Sequence, residues 1–165
     1  MRYFVLGFSV FAAACAGTPG APTSPSGAAG GAAVTEARGG SELPVRGSLE
    51  ATETEDGHLH HLVGTGEATH LGRFTLISDF TVDTETLMAV GTATWKAANG
   101  DQIFTPTTGH AVVVFPIATI TETGTIMGGT GRFAEASGSV VIERSLNLLT
   151  LISSGSITGT ISLGH

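Results

Sequence analysis

Histidines, one arginine and a few misplaced hydroxyls carry whatever chemistry this chain offers. His58-Leu59-His60-His61 follows the turn signal Asp56-Gly57. A strand starting at His58 would put His58 and His60 on one face, as a two-ligand clamp for zinc or copper. A dedicated site needs a third ligand, and Glu55 and Asp56 qualify only by adjacency, so the expectation is a solvated hairpin end and no metal. His70 continues the face formed by Leu62, Gly64, Gly66 and Ala68. Ser78 interrupts Leu76 and Phe80, and Arg144 falls between Ile142 and Leu146. Facing a cavity, His70 and Arg144 would bind an anionic or carbonyl-bearing ligand through charge-assisted hydrogen bonds. Near strand ends they would instead keep their heads in water or on backbone carbonyls. Phe74, Phe80 and Trp95 are the aromatic candidates to line such a cavity. No Gly-x-Ser-x-Gly elbow occurs beyond the leader, and the glycines at 128–131 lack the Lys-Ser/Thr pair of a phosphate loop. No catalytic set assembles and no cofactor is implied.

The elements that must position these groups are strands. From Pro44 to His165 apolar and polar residues alternate with period two between Gly, Asn and Asp breaks. Val45, Gly47, Leu49 and Ala51 oppose Arg46, Ser48, Glu50 and Thr52; Ile157, Gly159, Ile161 and Leu163 oppose Ser156, Thr158, Thr160 and Ser162. The spacing predicts strands at 44–55, 58–70, 73–82, 87–97, 101–109, 111–122, 138–147 and 150–163. Asp56-Gly57 and Asn99-Gly100 supply hairpin turns. Such strands with short links predict an all-β, antiparallel eight-stranded barrel; a two-sheet sandwich is the alternative. With so much Gly, Ala and Thr, the interior is either tightly packed or slightly open. Thr-rich faces such as 158–160 give no expectation of a large apolar interface.

Composition excludes other classes. Among 165 residues, 7 basic face 14 acidic, a net charge of −7, with no basic run to hold nucleic acid. One cysteine forbids an internal disulfide framework. Arg2 and the apolar run Tyr3–Ala14 read as a signal peptide over 1–14, too short for a span of roughly 20 apolar residues. Ala12-Ala13-Ala14-Cys15 resembles the lipobox of bacterial lipoproteins, with Ala12 where Leu is common. The resemblance implies diacylglycerol on the Cys15 thiol and cleavage that leaves Cys15 at the new N-terminus. Residues 15–43 then form a tether rich in Ala, Gly, Pro, Ser and Thr. From Ala16 to Leu43 a flexible coil spans roughly 30 Å root mean square. The expected location is the bacterial cell envelope, with the membrane as partner through Cys15. In a cell with two membranes, Ala16 resembles the outer-membrane-directed class.

Gly128-Gly129-Thr130-Gly131-Arg132-Phe133, running through Ala136 to Gly138, breaks the strand pattern with a tight turn and room for one helical turn. This stretch resembles the turn before a late strand in the allene oxide cyclase and dirigent family of eight-stranded barrels. Those proteins hold a reactive hydrophobic intermediate in the barrel and steer its bond formation. The resemblance implies acidic residues, an arginine and a tyrosine around a cavity. Here Tyr3 is the only tyrosine and lies in the leader. Two functions are therefore carried forward. The first is an anchored barrel that binds a small apolar molecule or serves an envelope interaction. The second is an isomerase or cyclase using Arg144, His70 and a nearby carboxylate.

Overall fold

A computed structural model describes residues 41–164. The leader, Cys15 and the tether up to residue 40 lie outside the described residues. Eight strands follow in chain order: β1 (Leu43–Asp56), β2 (Leu59–Ala68), β3 (Gly72–Asp83), β4 (Met88–Ala97), β5 (Gln102–Val114), β6 (Ile117–Met127), β7 (Ser137–Asn147) and β8 (Ile152–Ser162). Each pairs antiparallel with its sequence neighbours, and β1 pairs with β8, for example Leu49 with Gly155, so the sheet closes into a barrel. Closure rules out the sandwich and leaves no lateral edge.

Alternation decides which way each residue points. Along β1, Val45, Leu49, Ala51 and Glu53 are buried while Arg46, Ser48, Glu50, Thr52 and Thr54 are not. Apolar inside and polar outside is the reverse of a membrane-spanning barrel. The core runs from Val45 and Leu49 through Phe74, Leu76 and Trp95 to Val140, Ile157 and Ile161.

Several boundaries differ from the sequence reading, β6 among them, which runs on to Met127 where its end was expected at 122. The β5–β6 turn falls at Phe115-Pro116 instead of His110, because residues 111–114 pair onward with β6 until Val114 meets Ile117. β2 stops at Ala68 because His70 adopts φ +66°, which cannot continue a strand.

The predicted turn motif closes one end. Gly131–Phe133 forms a short 3-10 turn, and Phe133 is wholly buried in the core. Thr130 exchanges hydrogen bonds with Gln102, and the Arg132 guanidinium donates to Leu71 O at 3.4 Å. Gly131 sits at φ +56°, and a Cβ there would strike the Asp101 carboxylate. At Gly129 a Cβ would collide with the Gln102 carbonyl. Gly128 opens the turn and Gly138 lies in β7, which the chain then enters.

Candidate functional site

The two halves of the barrel interior differ in chemistry. Toward the Phe133 end it is apolar and full. Phe74 and Trp95 rings lie 5.2 Å apart, and Trp95 Nε1 donates to Thr105 Oγ1 at 2.9 Å, which in turn donates to Ala93 O at 3.2 Å. The space left between Val45, Leu71, Trp95, Ile126 and Ile157 has a volume of about 10 Å³, too small for an organic ligand and barely that of one water.

The other half holds a polar cluster. Arg144 on β7 is 3% exposed. Its Nη1 donates to Glu53 Oε2 on β1 at 2.5 Å and to Ser153 Oγ on β8 at 3.4 Å. Its Nε and Nη2 donate to the two carboxylate oxygens of Glu122 on β6, at 3.1 and 3.3 Å. Glu53 Oε1 lies within hydrogen-bond distance of His60 Nδ1, at 3.2 Å. The His60 ring stacks on Phe80 at 5.1 Å. Burial alone would push the Arg144 guanidinium down, but the Glu122 and Glu53 carboxylates outweigh it and hold its pKa above the ordinary value.

Solvent reaches this cluster at the barrel mouth. Side-chain exposure is 14% for His60 and 13% for Glu122, against 2% for Glu53. Across the mouth β4 and β5 contribute Ala89, Gly91, Gly109 and Ala111, with no side chain longer than a methyl. A Cβ on Gly109 would meet the Glu122 side chain. A larger concavity, about 1120 Å³, lies on the outer wall over Glu50, Glu67, Arg73 and Lys96; its mixed charges favour no ion.

Several expected placements change. Arg144 does not keep its head in water at a strand end; it is enclosed and already shared by two carboxylates. The expected pocket for an anionic ligand therefore has its cation neutralised. His70 is not beside it. It sits in the β2–β3 turn at the Phe133 end, with Nε2 3.2 Å from Pro44 O. Ser78 is buried but satisfied, donating to Thr92 O at 3.1 Å. Phe74, Phe80 and Trp95 point inward as expected, yet only Phe80 lies at the mouth. His58 and His60 do not share a face, because β2 begins at Leu59; His58 Nδ1 instead lies 3.1 Å from Val82 O. Glu53, Glu55 and His60 do bring donor atoms within 4.8 Å of one another. Arg144 on Glu53 places a positive charge beside any cation held there.

Glu53 and Glu122 were missed by the sequence reading. The signal existed, since Glu53 continues the 45-47-49-51 face and Glu122 the 118-120 face.

No protein-family model and no curated protein matches the sequence. Among solved structures, a pterocarpan synthase dirigent protein superposes with a TM-score of 0.58 at 10% identity, covering 76% of this chain and 90% of that one. The fold is a dirigent-like barrel. At that identity the likeness concerns the fold alone. This barrel is filled at the Phe133 end and polar at the Arg144 end.

Proposed function

We propose that this chain is an exported, lipid-anchored binding module of a bacterial cell envelope, whose dirigent-like barrel takes one small ligand at the Arg144 mouth without transforming it. The observation that carries this reading is the partly open polar cluster inside an otherwise packed barrel. Two carboxylates meet one guanidinium, so the mouth presents an excess of acceptors beside the Phe80 ring. That combination suits a small, largely apolar molecule bearing a hydrogen-bond donor. Mutual satisfaction of Arg144, Glu53 and Glu122 favours binding over turnover, because among the described residues no buried polar side-chain atom lacks a hydrogen-bond partner. The apolar run Tyr3–Ala14, Cys15 and the small-residue tether support anchoring.

Native mass spectrometry tests the ligand reading on protein extracted from its own membrane and released as the barrel. A reproducible organic mass, lost in Glu122→Gln, is expected; a bare barrel overturns ligand binding and leaves an interaction role. Intact mass of the full chain tests anchoring: a diacylglycerol increment on Cys15, absent in Cys15→Ser, is expected, and an unmodified Cys15 overturns it.

One observation favours the isomerase or cyclase reading: interior carboxylates lie on Arg144, with an imidazole on one of them. Glu122 and His60 would then exchange protons with the substrate, in general acid–base fashion. Conversion of the recovered molecule to an isomer by the wild-type barrel, lost in both Glu122→Gln and His60→Gln, would establish it. An unchanged molecule would leave binding alone.

A further inference from the structure

Four turns surround the mouth, and they divide into two kinds. The β1–β2 and β3–β4 turns carry Asp56, His58, Asp83 and Glu85. The β5–β6 and β7–β8 hairpins have no ionisable residue from Ala111 to Thr121 or from Ser145 to Ser156. The two uncharged tips are one structure: Ile117 pairs with Asn147, and Leu148 N–H donates to Pro116 O at 2.9 Å. Their apolar side chains face water. Val114 is 75% exposed, Phe115 71% and Leu149 68%, with Val112, Val113 and Ile152 also exposed. The Thr-rich faces read from the sequence carry no expectation of such a ledge.

The ledge also protrudes. Pairing of β4 with β5 ends at Met88 with His110, while β5 continues to Val114 against β6 alone. Residues 112–114 therefore expose both faces, and both are apolar, whereas a strand standing in water keeps at least one face polar. A protruding apolar tip needs no matching groove if it enters lipid. Among the described residues, the two large concavities a second copy would offer are both rimmed by charge, one by Glu50, Glu67, Arg73 and Lys96 and the other by Glu55, Asp56, His61 and Asp79.

We infer that the ledge of Val112–Ile117 with Leu149 and Ile152 docks on a lipid bilayer surface. Two features set the depth. The backbone N–H and C=O groups along 112–114 have no β4 partner and need water or lipid carbonyls, which keeps them at the interface and out of the hydrocarbon. The charged turns on the other side of the mouth stay in water, so the barrel sits tilted, with the mouth facing the interface. A hydrophobic ligand could then pass between bilayer and mouth. The covalent route does not obstruct this geometry. The chain from Ala16 to Leu43 reaches up to about 90 Å when extended, while β1, at 14 residues, is roughly 45 Å long. The inference extends the envelope reading and shares its membrane, but it does not require the Cys15 anchor.

The test uses the barrel alone, residues 41–165, because the described strands pair with one another into a closed barrel around the described core. Vesicles of phosphatidylethanolamine and phosphatidylglycerol are the probe, read by flotation and by the emission of a barrel carrying Phe115→Trp and Trp95→Phe. Expected are flotation with the vesicles that changes little between low and high salt, a blue shift of the introduced tryptophan's emission on adding lipid, and at least a tenfold loss of binding in Val114→Glu. Thermal melting of Val114→Glu should match wild type, since the side chain is exposed. Absence of flotation and of the blue shift overturns the inference. So does a concentration-dependent dimer without lipid that Val114→Glu abolishes, which would assign the ledge to a second copy. Because this barrel lacks Cys15, failure here leaves the anchoring test untouched, and an unmodified Cys15 leaves this one untouched.

Discussion

Arg144 and Glu53 are 91 positions apart in the chain, and their side chains meet at 2.5 Å inside the barrel. β8, lying between β7 and β1, supplies Ser153 to the same guanidinium. The contact therefore spans the β7–β8–β1 closure. Removing Arg144 leaves the buried Glu53 carboxylate uncompensated. Arg144→Met is expected to cost about 3–5 kcal/mol, measured by urea unfolding. Adding Glu53→Gln and Glu122→Gln should recover most of that loss, since the unpaired charges go with the cation. Failure of the triple variant to recover stability would mean that shape, and not charge, is what the cluster contributes.

How much of this was legible depended on which signal each residue sent. Period-two alternation carried the strand count, the barrel and the inward direction of Phe74, Phe80, Trp95 and Arg144. Asp56-Gly57 and Asn99-Gly100 marked two turns correctly. The cluster was only half visible. Arg144 looked misplaced between Ile142 and Leu146, but Glu53 and Glu122 lie among Thr and Glu neighbours, where a carboxylate reads as hydrated. Parity alone placed them inside, and parity is lost by a shift of one residue. The distance between Arg144 and Glu53 along the chain hid their pairing altogether. His70 was misread because a strand was extended through a residue at positive φ. The apolar ledge was missed because a turn was placed at His110, which made the Val112–Val114 run look like an ordinary buried strand.

The plug predicts its own cost. Phe133 is fully buried, and its turn is clasped to Gln102, Asp101 and Leu71. Phe133→Ala should cost about 3–5 kcal/mol in chemical denaturation. Ligand recovery at the opposite end should persist in whatever fraction remains folded. Loss of the ligand from folded Phe133→Ala protein would place binding in the apolar half.

Trp95 is the only tryptophan, so its fluorescence reports one location. At 3% exposure its emission should be blue-shifted and resist acrylamide quenching, and it should return to the solvent value on unfolding. Trp95→Phe removes the Nε1 hydrogen bond to Thr105 and should destabilise by about 1–3 kcal/mol while leaving mouth ligand binding intact. A ligand that quenches Trp95 directly would contradict the packed interior around it.

Asp83 gives a pH signature whose sign is set by its turn. Its carboxylate accepts the backbone N–H groups of Thr86 at 3.1 Å and Glu85 at 2.8 Å. Those hydrogen bonds, Thr86 first and Glu85 next, favour the charged form and hold its pKa below the ordinary 3.8. A carboxyl lowered in the folded state contributes stability above its unfolded pKa, and that stability is lost as pH falls through the lowered folded value. Asp83→Asn keeps an acceptor oxygen but cannot ionise. Wild type should therefore melt higher than Asp83→Asn near neutral pH, with the gap closing as the pH drops below about 4. A gap that stays constant from neutral to strongly acidic pH would show that Asp83 acts through turn geometry alone.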